Sequence, residues 1–187
     1  MSTQKYTILK ELPFSPEPSQ IVYDDYSALS TVYYEYIVTP VDATGIEGIV
    51  TATVVRPEFD GWWIVDLDNP EEYNFQFLYN LDDVTINMTE DRTEMSTFGK
   101  YPLVRYGTKR ARKCTLSGLF IPEGESTKEQ YDKFDQMLTQ RKPYLLKDKY
   151  GRKFVVDISS PQETILSRLQ GVTKIAVNWV EVGEYED

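Results

Sequence analysis

Several segments in the C-terminal part of the chain alternate apolar and polar residues with a period of two, which is the spacing of a β-strand with one buried face. In residues 154–158 the apolar side chains Phe154, Val156 and Ile158 share one face, and residues 175–179 repeat the pattern. Other strands are predicted where β-branched and aromatic runs are bounded by Pro, Gly or Asp, at residues 32–39, 48–55, 62–67, 73–79, 84–88 and 113–121. The sequence DKYG at residues 148–151 predicts a hairpin turn in which Gly151 takes a positive φ.

One segment has the period of a helix instead. Ser126 and Glu129 form a capping box, and apolar residues then recur at helical spacing: Tyr131, Phe134, Met137 and Leu138. Because Lys142-Pro143 ends the pattern, we predict a helix over residues 127–141 that lies on a sheet by its apolar stripe. No βαβ rhythm is present. The predicted fold is therefore mainly β (α+β), an antiparallel sandwich or barrel with one flanking helix.

The N-terminal part differs in composition from the rest. Three prolines fall between Pro13 and Pro18, and a break near Pro57 divides the chain into an N-terminal β segment, 1–58, and a β domain, 59–187. Residues 33–45 (YYEYIVTPVDATG) followed by a second β run resemble the later strands of a fibronectin type III domain. The resemblance covers residues 20–57, about half of such a domain. The segment is thus expected either to pack on the downstream sheet or to pair its edges with a neighbouring subunit.

Composition excludes most catalytic chemistry. The chain has 187 residues, a net charge of −10, no His and one Cys. This length suits one domain, or one domain with an appendage. Without His there is no His base and no His metal ligand, and a single Cys114 can form neither a disulfide nor a thiolate zinc site within one protomer. We predict a non-enzymatic protein without cofactor or metal, made in the cytoplasm because no signal peptide or membrane span is evident.

The acidic stretch 66–72 (DLDNPEE) is the densest supply of carboxylates. Asp66, Asp68, Glu71 and Glu72 could serve glycoside hydrolysis or hold Ca²⁺. No feature separates the environments of two carboxylates, and the stretch lacks the Gly and the bidentate Glu of an EF-hand loop. A solvated turn is the favoured interpretation.

Charge is polarised along the chain. Residues 1–99 carry 4 basic and 18 acidic side chains, whereas residues 100–187 carry 16 basic and 12 acidic ones. This asymmetry disfavours a free nucleic-acid binder and suits head-to-tail self-association, although acidic loops that only keep one end solvated would look the same. The positive cluster, with a turn predicted at Gly107-Thr108, could meet phosphates or an acidic protein face; it comprises Arg105, Lys109, Arg110, Arg112 and Lys113.

Two adjacent tryptophans occupy one predicted strand. Trp62 and Trp63 must point to opposite faces of the sheet, so that at most one of them fills the core. The outward ring is a candidate interface residue. The alternative is that the N-terminal segment covers it.

Over residues 59–187 the succession of elements resembles the tail-tube and distal tail (baseplate hub) proteins of tailed phages and related contractile machines. The resemblance rests on the strand GWWIV at 61–65, the basic-flanked strand CTLSGLF at 114–120 and the single capped helix. The Pro-apolar-Lys-Asp-Gly-Arg hairpin at 142–154 and the closing strand at 172–182 complete it.

The resemblance implies two packed antiparallel sheets with one flanking helix. It further implies self-assembly into a hexameric ring of the virion tail, assembled in the host cytoplasm, with DNA passing through the lumen without specific binding. Other tail or baseplate proteins would then be partners, and the N-terminal segment would lie outside as a docking platform. The alternative function is that of a β-sandwich adhesion or carbohydrate-binding module, which would be a monomer with an aromatic groove.

Overall fold

The computed structural model describes residues 7–13, 22–77, 84–96, 99, 101–122, 126–166 and 171–183. Within them, nine strands and one helix form a mainly β fold with antiparallel pairing throughout, as predicted. The elements are β1 (Tyr34–Val38), β2 (Thr51–Val55), β3 (Trp62–Val65), β4 (Asn74–Phe77), β5 (Asn87–Met95), β6 (Leu103–Phe120), α1 (Thr127–Thr139), β7 (Tyr144–Asp148), β8 (Lys153–Ile165) and β9 (Thr173–Gly183).

Seven strands form one continuous sheet in the order β4-β3-β7-β8-β9-β6-β5. The sheet folds over, so that β4 lies against β6 although several strands separate them in the sheet. The ring centroids of Phe77 on β4 and Phe120 on β6 are 5.4 Å apart, and those of Phe75 and Phe120 are 6.1 Å apart. The resemblance implied two packed sheets; the described residues instead form the two layers from the halves of one sheet.

Helix α1 closes the open side between these halves. It begins as predicted: the Ser126 hydroxyl accepts from the Glu129 amide, and the Glu129 carboxylate accepts from the Ser126 amide. Phe134 and Met137 are fully buried on its apolar face. The helix ends at Thr139, two residues before the predicted end, and Arg141 then takes a φ of 52°.

The β7–β8 hairpin has the predicted turn. Gly151 has a φ of 77°. The buried carboxylate of Asp148 accepts from the amides of Tyr150 and Arg152 at 3.0 and 2.9 Å, and the Arg152 guanidinium pairs with it at 2.6 Å. The turn is therefore fixed by a side-chain acceptor as well as by the glycine.

The strands predicted in residues 84–88 and 113–121 differ from the observed ones. Strand β5 begins at Asn87 and continues to Met95, and β6 begins ten residues earlier than expected, at Leu103. The turn predicted at Gly107-Thr108 is wrong, because both residues lie inside β6. Gly107 instead marks a bulge, where a Cβ would overlap the side chain of Asp91 on β5. The last two residues of the strand predicted at 73–79 lie outside the described residues.

Strands β1 and β2 form a separate two-stranded sheet, the ribbon, whose described residues pair with no strand of the large sheet. Its connection contains a turn in which the Asp42 carboxylate accepts from the amides of Thr44 and Ile46, and Gly45 has a φ of 83°. The predicted strand-turn-strand unit is thus present. Its likeness to a fibronectin type III domain and the division of the chain at residue 58 remain predictions.

Candidate assembly interface

Strand β6 is much longer than the sheet that supports it. Only its last part, Lys113–Phe120, pairs with β9, whereas residues 103–112 pair with β5 alone. Strand β5 and residues 103–112 of β6 therefore form a two-stranded extension, which we call the arm. All nine residues of β5 are exposed. Two strands without a supporting layer are marginally stable in water, so the arm is a candidate for contact with another chain.

The five predicted basic residues all fall on β6, but the structure uses them differently. Arg112 donates to Glu181 at 2.9 Å and lies over the Phe154 ring, and Arg110 lies 3.3 Å from Glu90. These two therefore have partners within the protomer. Arg105 and Lys113 are exposed and form no ion pair with any described residue. The backbone of Lys109 is in the strand, and its side chain lies outside the described residues.

The two tryptophans point to opposite faces of β3, as predicted. Trp62 is buried in the core between the two halves of the sheet. Trp63 lies on the outer face, where the Phe59 ring meets it edge-on at 5.9 Å. Trp62 is therefore not available to a partner, and Trp63 is partly covered by the chain that leads into β3. The sequence could not decide between this cover and an intermolecular one.

Residues 26–30 of the N-terminal segment form a second layer on this outer face, which is one of the two alternatives that the sequence left open for this segment. Ala28, Leu29 and Ser30 of this segment are buried, and Val65 and Leu145, on the same face of the sheet as Trp63, have no exposed surface. At the centre is Lys147, a lysine that is only 5% exposed. Its Nζ donates to the carbonyl oxygens of Tyr26 at 2.5 Å and Ala28 at 2.9 Å. A lysine within an apolar YLLKD strand is the one sequence signal that could have indicated it.

Aromatic faces complete the surroundings of this ammonium. The Nζ of Lys147 is 5.3 Å from the centroid of Phe59 and 5.8 Å from that of Trp63. Burial lowers the pKa of Lys147 to about 8, and the nearby charge of Asp25 partly opposes this shift. Lys147 thus fastens the segment before the ribbon to the large sheet.

The depressed pKa of Lys147 predicts a pH-dependent stability. Between about pH 8 and the ordinary value of 10.5 the folded protein binds fewer protons at this site than the unfolded chain. Its contribution to the free energy of unfolding must therefore rise with pH across that interval. We expect the difference in unfolding free energy between wild type and Lys147→Met, measured by urea titration, to shift in favour of wild type from pH 8 to pH 10.5. Lys149→Met, at an exposed lysine, is the control, and a flat difference for Lys147→Met would contradict the prediction.

The acidic stretch is organised around a lysine. The Lys142 ammonium lies 2.7 Å from Oδ1 of the buried Asp66 and 2.6 Å from Oδ2 of Asp68, so it occupies the position that a cation would take between these carboxylates. Glu71 and Glu72 are exposed. Among the described residues no group of three or more His, Cys, Asp and Glu could hold a metal ion. A shallow cavity of about 290 Å³ adjoins Asp66, Lys142 and Tyr144.

Comparison with known proteins gives only distant structural likeness. No protein-family model matches the chain, and no curated protein matches it. Among solved structures, the chain is similar to a component of the tail of an empty GTA particle refined with C6 symmetry, at 11% identity and a TM-score of 0.46 over 67% of this chain and 92% of the other. It is also similar to a chain of the virion of a native gene transfer agent particle, at 13% identity and a TM-score of 0.43 over 66% and 92%. Both TM-scores are below 0.5, so neither likeness establishes a shared function.

Proposed function

We propose that this protein is a structural component of a phage-like tail that self-assembles into a ring and carries no catalytic activity or cofactor. The observation that carries the proposal is the arm. The two strands of the arm pair only with each other in the part that extends past β9. Leu103, Met95 and Tyr106 are exposed on the arm among charged residues. An isolated protomer gains little from such an element, whereas an assembly gains contact area.

The open edges of the large sheet support closure of a ring. Strands β4 and β5 are the outermost strands, so each has one edge without a partner among the described residues. A cyclic ring needs a heterologous interface between two unlike faces. The charge asymmetry of the chain suits such an interface, because its first 99 residues are strongly acidic and its basic residues are concentrated from residue 100 onward.

The excess of acidic residues also fits a conduit for DNA. Repulsion would keep a DNA duplex from adhering to the wall of the lumen, whereas a basic wall would bind its phosphates. In this function the ring resides in the virion tail, as tube, distal tail or baseplate component, after assembly in the host cytoplasm. Its partners are its own copies and neighbouring tail proteins. No helix in the described part of the chain is long and apolar enough to cross a membrane.

The oligomeric state tests this function directly. We expect light scattering after size exclusion to give a mass near six times the 21.7 kDa protomer, and negative-stain images of that fraction to show rings or stacked rings. The same fraction should not shift a DNA duplex in a gel at physiological salt. A species that remains monomeric at all concentrations, with or without tail partners from the same source, would contradict the proposal.

A carbohydrate-binding module is the second candidate. Its supporting observation is that Tyr33, Tyr101, Tyr106 and Tyr150 are highly exposed. Against it, the cavity beside Asp66 and a second cavity beside Thr127 and Glu163 have only one aromatic residue among the described residues that line them. This is Tyr144, which is buried and donates its hydroxyl to the Met137 carbonyl. Binding of a monomer to a glycan array would favour this candidate over the tail component.

A further inference from the structure

The two faces of the ribbon differ in what covers them. In an antiparallel pair, residues directly opposite one another share a face, so Tyr34, Tyr36 and their partners lie on one side. The segment before the ribbon covers that side: the Tyr34 hydroxyl accepts from the Leu29 amide at 2.9 Å, and the Tyr36 hydroxyl donates to Asp25 at 2.8 Å. This contact raises the pKa of Tyr36, first through burial and then through the Asp25 carboxylate.

The opposite side, which we call the outer ribbon face, has two cross-strand pairs: Ile37 with Ala52, and Glu35 with Val54. All four residues are exposed, and Val54 retains 63% of its surface. Glu35 forms no ion pair with any residue that the structure describes. The face thus consists of an apolar pair next to a pair that carries a carboxylate.

The arm has a face of matching pattern and opposite charge. Met95 pairs with Leu103, and two residues along Thr93 pairs with Arg105, so these four side chains share a side of the arm. They are exposed, and Leu103 retains 53% of its surface. This face thus has an apolar pair next to a pair that carries a guanidinium. Both faces are two strands wide and two pairs long, because each has the spacing of an antiparallel ladder.

We propose that the outer ribbon face of one protomer binds the arm of a second copy of this chain. In this contact the Met95–Leu103 pair packs on Ile37, Ala52 and Val54, and Arg105 forms an ion pair with Glu35. The arm gains the second layer that it lacks in the protomer, and the ribbon gains cover on its exposed side. The inference rests on the proposed self-assembly and identifies the ribbon as the receiving surface. Such a contact is heterologous, so it propagates around a ring or along a stack.

Charge exchange between the two faces tests the contact. Glu35→Arg places two cations together, and Arg105→Glu places two anions together, so we expect each variant to weaken association about tenfold or more. The double variant restores the pair with its polarity reversed and should associate within about threefold of wild type. Glu47→Arg, a charge reversal in the connection between β1 and β2, should associate as wild type. Sedimentation velocity measures all four, and urea unfolding verifies that each is folded.

A cysteine cross-link tests proximity independently of charge. Val54→Cys and Leu103→Cys are prepared separately, mixed under assembly conditions and oxidised, so that a disulfide between the two variants must join different chains. Wild type sets the background, because its one cysteine, Cys114, is buried. We expect a disulfide dimer from the mixture and much less from either variant alone.

The outcomes separate this inference from the proposed function. If Glu35→Arg forms rings normally, the inference is overturned and the tail function stays intact. The same conclusion follows if the mixture of the two cysteine variants forms rings but gives no disulfide dimer. Dimers from Val54→Cys alone would show that ribbons meet one another and would also overturn it. A chain that never assembles would overturn both.

Discussion

Replacing Phe134 with Ala is expected to destabilise the protein by about 3–5 kcal/mol, the usual cost of removing a fully buried phenyl ring. Phe134 has no exposed surface, and it projects from α1 into the gap between the two halves of the sheet. There its ring meets those of Phe75, Phe77 and Phe120 edge-on, with centroids 5.2, 5.8 and 5.9 Å away. Such pairs add to the burial of apolar area. Urea unfolding followed by tryptophan fluorescence measures the loss.

Two variants of the same helix control this experiment. Phe134→Leu keeps much of the buried volume and should lose clearly less stability than Phe134→Ala. Asp135→Ala changes the exposed neighbour and should alter stability by no more than about 0.5 kcal/mol. A loss below about 1 kcal/mol for Phe134→Ala would mean that α1 does not close the core.

Gly118→Ala is expected to destabilise the protein by about 1–3 kcal/mol or more, although alanine is ordinarily the better residue within a regular element. A Cβ at this position would lie 2.5 Å from Cδ1 and 2.6 Å from Cβ of Phe77. Phe77 is 1% exposed and enclosed by Phe120 and Phe134, so it cannot move away without repacking the core. Gly118 is thus the point at which β6 approaches β4 across the folded sheet.

A control glycine and a compensating change make the prediction specific. At Gly183, at the end of β9, the nearest atom to an added Cβ is Val155 Cγ1 at 3.9 Å, so Gly183→Ala should be neutral or slightly stabilising. If the clash with Phe77 is the cause, Gly118→Ala combined with Phe77→Leu should be more stable than the sum of the two single effects predicts. Strict additivity would show that the ring is not the obstacle.

The sequence predicted the local elements well where a short-range rule decides the structure. The capping box of Ser126 and Glu129 and the spacing of Phe134 and Met137 are complete within one segment, so the helix and its buried face could be read from it. The same is true of the turn before Gly151, where a neighbouring aspartate and a positive φ fix the chain. The period of two determined which face of β9 would be buried.

The sequence also determined that the two tryptophans would face opposite ways, because that follows from the pleat of a strand. It did not determine what would cover Trp63, because the pleat sets only the direction of a side chain and not its neighbours, which in the structure include the Phe59 ring. The basic cluster was likewise visible in the sequence. That Arg112 is engaged within the protomer depends on Glu181 and Phe154, more than 40 residues further along the chain.

The arm and the fold of the sheet were decided by tertiary structure alone. Gly107 and Thr108 have the composition of a turn, yet pairing with β5 holds them in a strand and absorbs the irregularity as a bulge. Gly118 looks like an ordinary weak residue of a strand, and only the arrival of Phe77 from β4 shows why a side chain has no room there. Turn and cap preferences act over a few residues, whereas strand pairing and core packing join residues that are distant in sequence. A single sequence contains no local signal for which distant strand a segment will pair with or pack on.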